Sequence, residues 1–118
     1  MKEEPKNARA DFERALADRE SKRYMLRLYV SGATFKSMRA ISNIRKICEE
    51  HLKGRFELEV IDTYQKPEMA RSDQIVALPT LIKELPPPLR RVIGDLSDAD
   101  RVLVGLDLAE KEDRDDES

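Results

Sequence analysis

The sequence predicts an α/β fold, and three observations carry that reading. Tyr24-Met25-Leu26-Arg27-Leu28-Tyr29-Val30 alternates, with Tyr24, Leu26, Leu28 and Val30 on one face, the period of a half-buried strand. Between Phe35 and Leu52, the apolar residues Met38, Ile41, Ile44, Ile47 and Cys48 recur at helical spacing, with Arg39, Arg45, Lys46 and Glu49 on the polar side. Phe56-Glu57-Leu58-Glu59-Val60-Ile61-Asp62 then alternates again, with Phe56, Leu58 and Val60 inward. Strand, helix of that length and strand make a βαβ unit, whose crossover should be right-handed.

The remaining elements follow in order. Ser31-Gly32 breaks the first strand and Gly54 stops the helix. Pro67 opens a short helix, Glu68 to Gln74, and Ile75-Val76-Ala77-Leu78 leads into Pro79. Thr80-Leu81-Ile82-Lys83 is a short strand, ended by Glu84-Leu85-Pro86-Pro87-Pro88. Beyond it the residues give two answers. In one, Leu89 to Asp95 is a strand turning at Gly94-Asp95, and Ser97 caps a helix with Asp100 at N3 and Val102, Leu103 and Leu106 as its stripe. In the other, Pro88 starts a helix ending at Gly94, and Val102-Leu103-Val104-Gly105-Leu106 is a strand. Such self-conflict is expected where two packings lie within a few kcal/mol.

Charge divides the chain. Of 118 residues, 39% are charged and the net charge is -2. Residues 1–23 carry 13 charges and residues 110–118 carry 8, leaving an ordinary density of about 29% in the body. The organisation read from this is a charged, helical extension at 1–23, a folded body at 24–109, and an acidic, disordered, solubilising tail at 110–118. In the extension, Ala8, Phe12, Ala15 and Leu16 fall at helical spacing. It is either a frayed, solvated helix, or Phe12 and Leu16 dock on the body or on a second copy.

Composition narrows the function. One Cys and one His exclude a disulfide framework, a Cys-based zinc site and a two-His metal motif. Neither a basic excess nor a supply of stacking aromatics points to nucleic acid. No 18-residue run lacks charge and no secretory signal is visible, so a cytoplasmic protein is expected. Cys48 on the apolar stripe reads as a small buried hydrophobe, and His51 at a helix end as a dipole partner. Asp62 and Asp73 pair with no obvious base, and no nucleophile–base–orienter set is present.

At this point the residues resemble a known family. Leu26-Arg27-Leu28-Tyr29-Val30-Ser31-Gly32, Val60-Ile61-Asp62 and Leu78-Pro79-Thr80-Leu81 are similar to KaiB, the small clock protein that binds the hexameric ATPase KaiC. The most specific stretch runs from Leu85-Pro86-Pro87-Pro88-Leu89-Arg90-Arg91 through Val92-Ile93-Gly94-Asp95-Leu96-Ser97, followed by Val102-Leu103-Val104-Gly105-Leu106-Asp107. The resemblance implies a thioredoxin-like fold, β-α-β followed by a fold-switching C-terminal half. That half is β-β-α in a thioredoxin-like, KaiC-binding monomer and α-β in a self-associated ground state, a dimer or tetramer. The residues placed in the switch are Pro79, Pro86, Pro87, Pro88, Gly94, Asp95, Gly105 and Asp107.

The resemblance also sets expectations for chemistry and partners. Redox members of the thioredoxin-like fold need Cys-x-x-Cys where this chain reads Gly32-Ala33-Thr34-Phe35-Lys36, so an oxidoreductase is disfavoured and no cofactor is expected. Pro79 is expected cis in the thioredoxin-like form, and X-Pro isomerisation over roughly tens to hundreds of seconds would make exchange slow. Lys83, Arg90 and Arg91 are either a solvated face or the groups that meet acidic residues of the ATPase ring. Gly105→Ala, through a helix-propensity gain of roughly 1 kcal/mol, and a basic residue in place of Asp107 are both expected to favour the helical form. Phe35 stands where Pro is usual and Leu78 where Thr is usual, the extension is absent from typical members, and Glu57 and Glu59 sit on the strand that members use to dock KaiA. These departures suggest a divergent copy from a system with KaiC but without KaiA, in a daily clock or a stress response. A module acting in trans on a histidine kinase is the further alternative.

Overall fold

A computed structural model describes residues 9–10 and 22–109 of the chain. The expected extension and acidic tail lie almost wholly outside the described residues. The element order is β1 (Tyr24–Val30), α1 (Phe35–His51), β2 (Phe56–Asp62), α2 (Pro67–Ser72), β3 (Thr80–Leu85), β4 (Arg90–Ile93) and α3 (Ala99–Gly105). The strands form one sheet in the order β2-β1-β3-β4. β1 and β2 run parallel, from Tyr24 opposite Phe56 to Val30 opposite Asp62. β3 runs antiparallel to β1, with a register shift between Met25 and Leu26, and β4 is antiparallel to β3.

The two-fold periodicity of β1 sets both faces of the sheet. Tyr24, Leu26, Leu28 and Val30 join Leu81 and Val92 under α1 and α3, which contribute Ala40, Ile44, Ile47, Cys48, Val102 and Leu106. On the opposite face Tyr29, Ile61 and Ile82 form a smaller cluster, covered by Met69, Ala70, Ile75 and Leu78 from α2 and the segment after it. β1 is therefore buried on both faces at its C-terminal end, whereas alternation alone assigned its odd positions to solvent.

Several local expectations change. Met38 is half-exposed, and the buried side of α1 runs instead through Ser37, Ala40, Ile44, Ile47 and Cys48. The α1 cap is Thr34, whose side chain accepts from the Ser37 N–H. α2 ends at Ser72, two residues earlier than its spacing suggested. Of the two C-terminal readings, this structure has the strand at 90–93 and the helix at 99–105. The α3 cap is Asp98 rather than Ser97, with its carboxylate accepting from the Arg101 N–H at 3.2 Å. Ser97 instead donates its N–H to Asp95 Oδ1.

Candidate functional site

The place where a redox relative would carry sulfur is filled by hydroxyls. Thr34 Oγ1 accepts from the Ser37 N–H at 3.1 Å and donates to Ser37 Oγ at 2.8 Å. Ser37 is buried, and its hydroxyl in turn accepts from the Ser31 N–H. The loop and the helix start thus hold each other through a local hydroxyl network. Cys48 lies three turns deeper, fully buried, and burial with the nearby Glu49 charge pushes its thiol up to about 12. A thiol held there is not a nucleophile at neutral pH. His51 closes the last turn of α1, and Asp62 accepts from the Gly32 and Tyr64 N–H groups, both structural uses.

The C-terminal half is organised around turns that the sequence singled out. The Leu78–Pro79, Leu85–Pro86 and Pro87–Pro88 bonds are cis, so Pro79 has the isomer implied for the thioredoxin-like form. Pro79 also accepts the Gly94 N–H at 3.0 Å, closing the sheet where β4 ends, and Gly94 has a φ of 121° that a side chain would strain. Asp95 Oδ2 meets Arg39 Nε at 3.2 Å and its carbonyl accepts from Asn43 Nδ2 at 2.8 Å, tying the turn after β4 to α1. Hydrogen bonds from Ser97, and then from Arg39, hold the Asp95 carboxyl below its ordinary range.

The three basic residues expected to act together do not share one surface. Lys83 is 1% exposed: its Nζ donates to Asp107 Oδ2 at 2.7 Å and to the Pro86 carbonyl at 2.9 Å, and lies 6.0 Å from the centre of the Tyr24 ring. In this form Lys83 is an internal support of the proline turn and has no side-chain surface to offer a partner. Arg90 is half-exposed and reaches the same Asp107 carboxylate at 3.3 Å. Arg91 points to the opposite face, where its guanidinium donates to the carbonyls of Asp73 and Gln74.

The other switch residues carry opposing effects. A Cβ added at Gly105 would lie 2.5 Å from Val92 Cγ2, a stiff β-branched side chain in the core, so the propensity gain of an Ala there meets a close helix–strand approach. Asp107, read as unfavourable at a helix end, is the counter-ion of Lys83 and Arg90. The hydrogen bond from Lys83 lowers its pKa, against partial burial, with Arg90 adding to the effect.

One cluster was missed. Arg27 Nη1 lies 3.1 Å from Asp73 Oδ2 and 2.9 Å from Glu84, and its Nε lies 3.4 Å from Glu59. The Tyr29 hydroxyl donates to the same Asp73 carboxylate. The only sequence signal was a large polar pair, Arg27 and Tyr29, at i and i+2 on one strand face.

Residues 27–108 match the sequence profile of the KaiB domain. The chain belongs to the KaiB family. It is 55% identical over 87 residues to "Circadian clock oscillator protein KaiB" of Prochlorococcus marinus strain MIT 9312, covering 74% of this chain and 83% of that one. It is 56% identical over 87 residues to the protein of the same description from Synechococcus sp. strain CC9311, covering 74% and 73%. Among solved structures, this KaiB-family chain is similar to the N-terminal domain of Synechococcus elongatus SasA, with a TM-score of 0.61 and 22% identity over 77% of this chain and 90% of that domain. It is likewise similar to chloroplastic thioredoxin z, with a TM-score of 0.60 and 20% identity over 84% and 88%. These two likenesses establish the thioredoxin-like fold. No helix among the described residues is long and apolar enough to cross a membrane.

Proposed function

We propose that this KaiB-family protein is a non-enzymatic regulator that binds a KaiC-type hexameric ATPase and modulates its phosphorylation or ATPase cycle. The observation that carries the reading is the profile match over 27–108, which spans the whole region where the sequence supports two packings. In the proposed cycle the β-β-α arrangement of the C-terminal half is the partner-binding monomer. An α-β arrangement is the self-associated ground state, a dimer or tetramer, and slow exchange between them sets the timing. Arg90 is the proposed contact to acidic residues of the ring, Arg91 would reach the ring only from the opposite face, and Lys83 positions the proline turn from inside. The oxidoreductase alternative is disfavoured by Thr34 and Ser37 in place of a thiol pair and by the depth of Cys48.

The test is size-exclusion chromatography of the full chain with the KaiC-type ATPase of the same organism. The reading expects a stoichiometric complex and a change in ATPase or phosphorylation kinetics. No complex with KaiC, together with binding to a KaiA-like protein or a histidine kinase alone, would overturn it in favour of an adaptor.

A further inference from the structure

β4 is an edge strand, and the sheet order β2-β1-β3-β4 leaves its outer side without a neighbouring strand among the described residues. The ladder to β3 fixes which of its amides face out. In an antiparallel pair, successive residues aim their N–H and C=O alternately at the partner and away from it. Gly94 donates to the Pro79 carbonyl at 3.0 Å, and the register sets Val92 opposite Leu81 and Ile93 opposite Thr80. Arg90, Val92 and Gly94 therefore face β3, and Arg91 and Ile93 present their N–H and C=O groups outward. Ile93 is 45% exposed and Arg91 is exposed as well.

A cavity lies beside the same edge. Its volume is about 70 Å³, and Val92, Leu96, Ser97, Arg101 and Val102 line it, with no residue of β3 in its wall. It therefore sits between β4 and α3, on the side of the strand away from β3. Sites for free small molecules start at roughly 300 Å³, so this one suits a single small side chain on a segment anchored elsewhere. The outward amides of Arg91 and Ile93 supply the anchor. A residue paired with Val92 on an added strand would share its face and stand over the cavity. The Arg91 and Ile93 side chains project to the opposite face, where the Arg91 guanidinium donates to the carbonyls of Asp73 and Gln74 rather than to a carboxylate.

We propose that the open edge of β4 takes an extended segment of a partner protein as a fifth, antiparallel strand. In N-to-C order the segment reads branched apolar, small aliphatic, carboxylate. The first residue lies opposite Ile93, the second enters the cavity opposite Val92, and the third meets Arg91. Backbone hydrogen bonds hold the segment and its alternating side chains select it. A second copy of β4 is a poorer occupant, because it would bring Arg90 and Arg91 of both chains onto one ladder. The inference does not depend on the KaiC reading.

The test titrates the full nitrogen-labelled chain with the capped pentapeptide TIVET by amide NMR, with sedimentation of the free chain alongside. Binding should shift the Arg91, Ile93 and Val102 amides and, at saturation, slow hydrogen exchange at Arg91 and Ile93. Methylating the isoleucine nitrogen of the peptide should weaken binding about tenfold, through the loss of one backbone hydrogen bond. Lysine in place of its glutamate should weaken binding about three- to fivefold, and Arg91→Glu should reverse that preference. No shift at millimolar peptide, shifts that avoid β4, or equal binding of the methylated peptide would overturn the proposal. Protection of Arg91 and Ile93 in the free chain, together with a dimer in sedimentation, would also overturn it and assign the edge to a second copy.

Discussion

The Tyr29 hydroxyl donates to the carboxylate of Asp73, the C-cap of α2, and so joins the central strand to the helix across the smaller core. Tyr29 is fully buried, and burial together with the Asp73 hydrogen bond pushes its phenol up to about 12. In an ultraviolet titration, the difference between the wild-type chain and Tyr29→Phe should have its midpoint near 12. A midpoint near the ordinary tyrosine value of about 10 would contradict this geometry. Urea unfolding should show Tyr29→Phe destabilised by about 1–2 kcal/mol, the scale of a hydrogen bond to a partly solvated charge.

Asp73 gives a pH dependence whose sign can be worked out. Partial burial alone would raise its pKa, but hydrogen bonds from Tyr29 and Arg27, with the charges of Arg27 and Arg91, outweigh it and hold the group below its ordinary value. A carboxylate depressed on folding stabilises the fold above its unfolded pKa of about 3.9, and that contribution is lost as pH falls through the folded value. Asp73→Asn should therefore be less stable than wild type at pH 7. The gap should narrow on acidification below about pH 4. A gap that stays constant into acid would show that the carboxylate charge is not the source.

Cys48 should be chemically silent. With a buried thiol raised to about 12, the native chain should react with an aromatic disulfide reagent at least about a hundredfold more slowly than the urea-unfolded chain. Cys48→Ala should retain partner binding. Loss of binding in that variant, with folding intact, would restore thiol chemistry to consideration.

The separation of Lys83 from Arg90 predicts a split between stability and association. Lys83→Met removes only one partner and leaves the Pro86 carbonyl and Asp107 without its ammonium, so it should destabilise the fold by about 1–3 kcal/mol in urea unfolding. The variant should leave the salt dependence of the proposed association with a KaiC-type ATPase unchanged. Arg90→Ala, at a half-exposed position, should lower the on-rate by about two- to fivefold at low salt. Stopped-flow association at several ionic strengths distinguishes the two. An equal loss in both variants would mean that Lys83 turns outward to meet the partner.

Much of the fold was legible in the residues. The alternation of β1 and β2 and the stripe of α1 are local signals, and each recovered its element within a residue or two. Met38 was misplaced because the stripe rule favours large apolar residues, while the face against the sheet takes the smaller Ser37 and Ala40. The C-terminal half was legible only as a conflict: the β-branched Val102 and Val104 argued for strand, and the cap and stripe argued for helix. The helix seen here rests on contacts distant in sequence, with the Tyr24 hydroxyl on the Leu106 carbonyl and Lys83 on Asp107. The burial of Lys83 and the Arg27–Asp73–Tyr29 cluster were hidden for the same reason. A lysine or arginine in a strand reads as solvent-facing until the fold brings its carboxylate from 24 or 46 residues away.

The most direct test of the account is the backbone state of residues 97–108 in a complex with the proposed partner, a KaiC-type ATPase. Carbon chemical shifts of the labelled chain, recorded free and in the complex, report helix or strand residue by residue. The account predicts that the bound species is helical over 99–105 with strand shifts at 90–93, and that any free species with strand shifts at 102–106 disappears as the complex forms. A bound species with strand shifts at 102–106, or a bound complex in which the free α-β species persists unchanged, would contradict it.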